Sequence, residues 1–352
     1  MKEIEATPSN GYHVVSTFSG GGGSCLGYRM AGYKVLWANE FVEEARKCYM
    51  ANHPGVIVDD RDIRDVQPYE ILEATGLKKG ELDLLDGSPP CCAFSTAGKR
   101  EKAWGMNRAY SDDKVQTIED LFEEYIRILD GLQPKTFIAE NVSGMVKGKA
   151  IGYFKHYIEE MRQCGYRVHA KLLNAKWLGV PQSRERIIFI GVREDLNLEP
   201  VHPKPLDHYF TIGDALNGVA NDENEVKELL EYMDRTQMGK ILKKLPKNPK
   251  KTLHGDDVTG YAYFSLCRCS MFQPCPTVTA LGGVASGVCH PLEDRRFTIE
   301  ELKRITSVPD DFILTGTYAQ QWERLGRMVP PIMMYHVAKT IQTEILDKIE
   351  VK

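Results

Sequence analysis

The sequence predicts an α/β protein, a doubly wound sheet with helices on both faces, joined to a smaller and more irregular domain. Three observations carry this expectation. Short apolar runs alternate with amphipathic stretches of helical length through the first half of the chain, the rhythm of strands joined by crossover helices. A run of glycines follows the first apolar run, where such folds turn from strand into helix. Past Arg193 the rhythm breaks: Pro200, Pro203 and Pro205 cluster, charge runs appear, and apolar periodicity stays weak until about Pro276.

In order, HVVSTFS is a buried-strand pattern ending at glycines, and Cys25 to Ala31 reads as a helix. KVLWANE is a second strand, followed by the helical VEEARKCYMANH, which stops at Pro54. VIVDDRD and LDLLDGS are the third and fourth strands, and IEDLFEEYIRIL is a helix with Leu121, Tyr125 and Leu129 on one face. KTFIAENV is a fifth strand, YFKHYIEEMRQC a helix, and VHAKLLNA and RIIFIGVR complete the strands. Periodicity returns at TIEELKRIT, and YHVAKTIQTEILDKI is amphipathic. The chain is therefore expected to divide into an α/β domain over 1–196, a smaller domain over 197–318, and a segment over 319–352 that returns to the first.

With 352 residues, 42% hydrophobic and 27% charged, the composition is that of a globular protein. No apolar run is long enough for a membrane span, and MKEIEATPSNGYHVV lacks the apolar core of a secretory signal, which predicts an intracellular chain. The nine cysteines are odd in number and form no C-x-x-C pair. Cys267, Cys269, Cys275, Cys289 and His290 come nearest to a metal set, but their irregular spacing reads better as buried thiols, and no metal is expected. The net charge of -4 argues against wholesale coating by nucleic acid. Lys240, Lys243, Lys244, Lys247, Lys250 and Lys251 come with no acid among them, which taken alone reads better as a solvated loop beside a charged helix than as a local basic face.

The segments that bear chemistry sit at strand ends. Phe18-Ser-Gly-Gly-Gly-Gly23 opens a helix after the first strand and suits close approach of a ligand, whether NAD, FAD or S-adenosylmethionine, or simply a tight turn. Glu40 ends the second strand, where a carboxylate accepts bonds from ribose hydroxyls, and Asp62-Ile63 follows the third, suiting an adenine amino group and its flat face. Gly87-Ser-Pro-Pro-Cys-Cys presents a cysteine behind two rigid prolines at the carboxyl edge of the sheet. Glu140-Asn141-Val142 ends the fifth strand with a carboxylate that is either a cap or a general acid. Gln182-Ser-Arg-Glu-Arg186 supplies two guanidinium groups two residues apart, which taken alone read as a surface salt-bridge pair.

Together and in this order, these segments resemble the DNA (cytosine-5) methyltransferase family over nearly the whole chain outside residues 200 to 270. The match extends to Arg295-Arg-Phe-Thr298, to Pro309-Asp-Asp-Phe312, to PTVTA from Pro276 and to Val329-Pro-Pro331. The resemblance implies a Rossmann-like fold dependent on S-adenosylmethionine, released as S-adenosylhomocysteine, plus a target-recognition domain. It implies that Phe18, Gly20, Gly22, Gly23, Glu40, Asp62, Ile63, Ser88 and Pro90 bind that cofactor. Cys91 would be the covalent nucleophile and Glu140 the proton donor to the base, while Arg184 and Arg186 would hold the base and steady the thiolate. The loop from Ala93 to about Asp112 would close over DNA. It further implies a monomer acting on a flipped cytosine of double-stranded DNA in the cytoplasm of a bacterial or phage-infected cell, with a cognate restriction endonuclease as a partner. Two positions depart from the family: Cys92 stands where Gln or Asn is common, and Arg327 where the last motif has Asn. A nicotinamide or flavin oxidoreductase, a non-catalytic DNA-binding relative and a tRNA-methylating branch are the rival readings.

Overall fold

The computed structural model describes residues 1–90, 108–109, 115–116, 120–259, 266–283 and 287–349. Its centre is a seven-stranded sheet built from β1 (His13–Thr17), β2 (Lys34–Asn39), β3 (Ile57–Asp59), β4 (Leu84–Gly87), β5 (Thr136–Val142), β6 (Tyr166–Asn174) and β7 (Glu185–Arg193). The strands lie in the order β3-β2-β1-β4-β5-β7-β6. β1 pairs in parallel with both β2 and β4, β4 pairs in parallel with β5, and β7 runs antiparallel to β5. All seven strands fall where the apolar runs place them.

The helices are α1 (Gly23–Met30), α2 (Glu43–Asn52), α3 (Pro68–Thr75), α4 (Leu121–Leu132) and α5 (Ile151–Gln163). α3 escapes the periodicity reading because it is short, yet it has a proline in its first turn and a capping box between Gln67 and Glu70. One face of the sheet, with Val15, Leu85, Phe137, Ala139 and Phe189, packs on Leu121, Phe122, Tyr125 and Leu129 of α4 in one buried cluster. Tyr125 explains Gly87. A Cβ at that glycine would lie 2.4 Å from the Tyr125 ring and 2.7 Å from Thr17 Oγ1, so the end of β4 carries no side chain.

The chain forms two compact units: Met1–Leu173 with Glu185–Lys204 and Met334–Lys352, and Asn174–Arg184 with Pro205–Met333. The boundaries expected at 196/197 and 318/319 therefore fall at 204/205 and 333/334, and residues 174–184 join the second unit. Pairing explains that transfer. Gln182–Ser183 runs parallel to Cys275–Pro276, and the Leu206 N–H donates to the Trp177 carbonyl at 2.8 Å.

The second unit contains α6 (Ile212–Leu216), α7 (Glu223–Arg235), α8 (Gln237–Leu242), α9 (Ile299–Ile305) and α10 (Tyr318–Arg327), and α11 (Pro331–Glu344) follows. α7 lies in the stretch whose acidity masks its periodicity. Asp222 caps it through the Asn224 and Glu225 N–H groups, and Leu229 and Met233 are its buried residues. A small core of Met233, Ile241, Leu242, Leu245, Leu266 and Cys289 closes this unit.

Leu129 is fully buried between α4 and the sheet. Leu129→Ala is expected to destabilise the protein by about 2–5 kcal/mol, read as a lower urea midpoint, because the site can collapse only partly around the missing methyls.

Candidate active site

The strand order reverses between β1 and β4: the chain winds outward through β2 and β3, then returns to place β4 on the other side of β1. Such a switch point opens a crevice beyond the carboxyl ends of the two strands. The glycine loop leaves β1 there, and the two prolines leave β4.

The loop is shaped by left-handed residues. Phe18, Gly20 and Gly22 have φ of 53°, 58° and 89°. For a phenylalanine this conformation stores strain of about 1–3 kcal/mol, the kind found at ligand clamps. Gly22 is the N-cap of α1, and a Cβ there would lie 2.2 Å from His53 Nε2. His53 is buried and stacked on Tyr49 with ring centroids 4.3 Å apart. Burial first, and the nearby Arg29 second, push its pKa down to about 3, so the loop rests on a neutral imidazole. At Gly20, by contrast, no atom of the described residues beyond its chain neighbours lies within 4 Å of where a Cβ would be.

Glu40 holds the loop from the end of β2. Its Oε2 accepts from the Gly20 N–H and its Oε1 from the Val42 N–H, each at 2.7 Å. Asp62 caps the short 3-10 helix Ile63–Asp65 by accepting from the Arg64 N–H, and it also pairs with the Arg64 guanidinium, which reaches Asp120 as well. Ile63, expected to offer a flat face to a ligand, is 1% exposed and packs in the core cluster.

On the β4 side, Ser88, Pro89 and Pro90 leave the strand, while Cys91, Cys92 and residues 93–107 of the following loop lie outside the described residues. The turn is tied to the end of β5. Asn141 Nδ2 donates to the Pro89 carbonyl at 3.2 Å, and Asn141 Oδ1 accepts from the Val142 N–H at 2.9 Å. Sequence reasoning passed over Asn141, although it stands inside the Glu-Asn-Val motif. Glu140, 8% exposed, accepts from Arg186 Nε at 2.6 Å across the antiparallel pair of β5 and β7. Arg186 and Glu140 are therefore together, as a strand-end ion pair.

Arg184 is placed differently. It belongs to the second unit, is 2% exposed, and donates to the carbonyls of Val278 at 3.1 Å and Arg327 at 3.4 Å. Gln182 Oε1 accepts from the Val278 N–H, and Thr277 Oγ1 donates to the Ser183 carbonyl. Here the first arginine of the motif is a brace for backbone, because a buried guanidinium offers five donors in a fixed fork. Arg327, the departure from the family's last motif, pairs with Glu323 at 2.6 Å.

Two of the clustered lysines meet acids: Lys243 pairs with Asp234 at 2.8 Å and Lys247 with Asp294 at 3.5 Å. Among the described residues no group of three or more His, Cys, Asp or Glu is placed to hold a metal ion. Cys267, Cys269, Cys275 and Cys289 are buried free thiols. Burial pushes Cys289 up to about 12, and the thiols of Cys267 and Cys269 also lie well above their ordinary value.

A doubly wound sheet whose loops gather at its switch point defines the class by architecture: a Rossmann-like α/β protein. The sequence comparisons make it specific. Residues 12–343 match the family model described as C-5 cytosine-specific DNA methylase, and the chain belongs to that family. It is similar to the type II methyltransferase M.NgoFVII of Neisseria gonorrhoeae, at 30% identity over 97% of this chain and 89% of that protein. It is likewise similar to M.Sau96I of Staphylococcus aureus, at 32% identity over 94% of this chain and 75% of that protein. Among solved structures it resembles a prophage-encoded DNA modification methyltransferase from E. coli, with a TM-score of 0.72 at 21% identity over 95% of this chain and 99% of that one. The chain is thus a DNA cytosine-5 methyltransferase.

Asn141→Ala should lower single-turnover methylation by about ten- to a hundredfold while DNA affinity stays within a few-fold. A shift of about 1 Å in a reacting group is enough for such a loss. Unchanged turnover would show that the prolines alone aim the turn.

Proposed function

We propose that the chain transfers a methyl group from S-adenosylmethionine to C5 of a cytosine flipped out of double-stranded DNA, through a transient bond between Cys91 and C6. The observation that carries this reading is the convergence at one switch point of the Glu40-held glycine loop, the Pro-Pro turn and the Glu140–Arg186 pair. The residues present fit the cofactor. Among the described residues nothing beyond its chain neighbours lies within 4 Å of where a Gly20 Cβ would be, and the Glu40 carboxylate is held at that loop by the Gly20 and Val42 N–H groups. Phe18, Gly20, Gly22, Gly23, Glu40, Asp62, Ser88 and Pro90 would hold it, with Ile63 supporting from the core. When bound, it supplies an electrophilic methyl group on a sulfonium.

The chain's own residues supply the rest. Cytosine C5 is a poor nucleophile because the ring is aromatic. Addition of the Cys91 thiolate to C6 breaks that aromaticity and leaves an enamine whose C5 is electron-rich. Charge builds at N3 as the bond forms, and Glu140 donates a proton there. A protonated carboxyl has one donor oxygen and one acceptor oxygen, so Glu140 can serve N3 and still accept from Arg186 Nε. Arg186 thereby fixes the direction of the donor. Once C5 carries the methyl group, the C5 proton leaves to water, Cys91 is expelled as thiolate, and N3 returns its proton to Glu140, giving 5-methylcytosine. A base stacked in a duplex is out of reach of these groups, hence the flip.

The same reading takes residues 205–333 as the target-recognition unit, its exposed lysines adding affinity without sequence preference. The type II methyltransferases among the relatives support a partnership with a restriction endonuclease. No helix among the described residues is long and apolar enough to cross a membrane. A monomer in the cytoplasm of a bacterial or phage-infected cell completes the proposal.

An oligonucleotide with 5-fluorocytosine at the target should trap a covalent adduct with the wild type and with Cys92→Ser, and none with Cys91→Ser. The reverse pattern would move the nucleophile by one residue. Bisulfite sequencing of DNA from expressing cells supplies the target sequence for this test.

Glu140→Gln should reduce turnover by about 10²–10⁴-fold, the usual worth of a general acid, with DNA and cofactor affinity little changed. Turnover within a few-fold of wild type would show that another group activates N3.

A further inference from the structure

Beneath the switch point lies a carboxylate that the proposed chemistry does not use. Asp86 is on β4, five residues before Cys91 and 1% exposed. It stands opposite Ser16 of β1 and Ile138 of β5 in the register of the sheet. The Ser16 hydroxyl donates to Asp86 Oδ2 at 2.8 Å, and the Tyr28 hydroxyl, from α1, donates to Oδ1 at 2.6 Å. The Ser19 hydroxyl in turn donates to Ser16 Oγ at 2.9 Å. Ser19 belongs to the glycine loop, and its N–H donates to the Asn39 carbonyl at 3.0 Å. A chain of hydroxyls therefore runs from the loop to the buried carboxylate, and the Ser19 hydroxyl also lies 3.1 Å from the Ser16 carbonyl.

We propose that Asp86 is a positioning residue for the cofactor: through Ser16 and Ser19 it sets the conformation of the glycine loop and couples that loop to the strand bearing the nucleophile. This rests on the reading of the loop as the S-adenosylmethionine site. The polarity of the chain requires the anion. A neutral Asp86 carries a proton of its own, and that donor must displace or reverse either the Ser16 or the Tyr28 bond.

The groups around Asp86 make this reversal accessible near neutral pH. Burial raises its pKa from 3.8 to about 7, against the lowering effect of the Tyr28 and Ser16 bonds, and the Glu140 charge raises it further. The titratable groups that interact with it are Cys25 and Tyr28 of α1, Tyr49 of α2, Tyr125 of α4 and Glu140 of β5. Burial pushes Cys25 up to about 12 and the three tyrosines well above 10, so these four stay neutral through the window. The sign follows: Asp86 gains a proton as pH falls through 7, and cofactor binding weakens in the same direction.

The test is isothermal titration of the full chain with S-adenosylmethionine between pH 6 and 8.5. The ligand's own ammonium titrates for every variant alike, so the comparison isolates Asp86. Wild-type affinity should rise by about tenfold across this range, the equivalent of one pKa unit. Asp86→Asn should lose that rise. Ser16→Ala should lose it too, although Asp86 is still present, because the link to Ser19 is cut. Tyr28→Phe should keep the rise and move its midpoint to higher pH, since the lost bond favours the anion. A merely structural Asp86 would lower the melting temperature in Asp86→Asn and leave the pH slope intact, which overturns the proposal. Tight, pH-flat binding by the wild type also overturns it and spares the cofactor reading. Absence of binding at every pH overturns both.

Discussion

The parallel pairing of β1 with β4 is the constraint on which the rest of the site depends. Val14, Val15, Ser16 and Thr17 stand opposite Leu84, Leu85, Asp86 and Gly87, so both strands end at the same level and their loops emerge side by side. Neither loop could be placed by its own chain. The glycine loop is too short to define a site, and the Pro-Pro turn has only its rigidity. Registered together, the two turns border one crevice at the switch point. The fully buried Tyr125 guards this register from below by filling the space a side chain at Gly87 would need.

A second principle is the use of polar side chains to hold backbone. Glu40 binds two N–H groups, Asn141 binds a proline carbonyl, and Arg184 binds two carbonyls from distant segments. Irregular backbone near a sheet edge leaves donors and acceptors without ladder partners, and a buried unpaired group costs about 1–3 kcal/mol. The motifs of this chain are rich in Glu, Asn, Gln and Arg partly for that reason. Residues that look catalytic by type divide, in space, into those that face chemistry and those that hold the frame.

That division marks the limit of what the sequence discloses. The strands and the longer helices were legible because apolar spacing is a local property, and the motifs were legible because they sit at strand ends. That Glu140 and Arg186 form an ion pair follows from one antiparallel ladder, which the sequence alone does not display. The carbonyls that Arg184 holds lie 94 and 143 residues along the chain, beyond any local reading. Ile63 packs in the core cluster, a placement that only long-range packing decides. Asp86 read as a strand residue; its partner Tyr28 is 58 positions away, and nothing local announces a carboxylate meeting a phenol. The domain boundaries shifted because long-range pairing, and not composition, assigns residues 174–184.

The cysteines outside the crevice bear on the protein's selectivity as a chemical reagent. Cys25, Cys48, Cys267, Cys269, Cys275 and Cys289 are buried and unbridged, and the thiols of Cys25, Cys267, Cys269 and Cys289 are pushed far from ionisation. A thiol that stays protonated and shielded is neither a nucleophile nor an easy target for oxidants and alkylators. The fold thus treats most of its sulfur as hydrocarbon. Of the nine cysteines, these six are thus withdrawn from solution chemistry, while Cys164 is partly exposed and its thiol is pushed up to about 11 by burial.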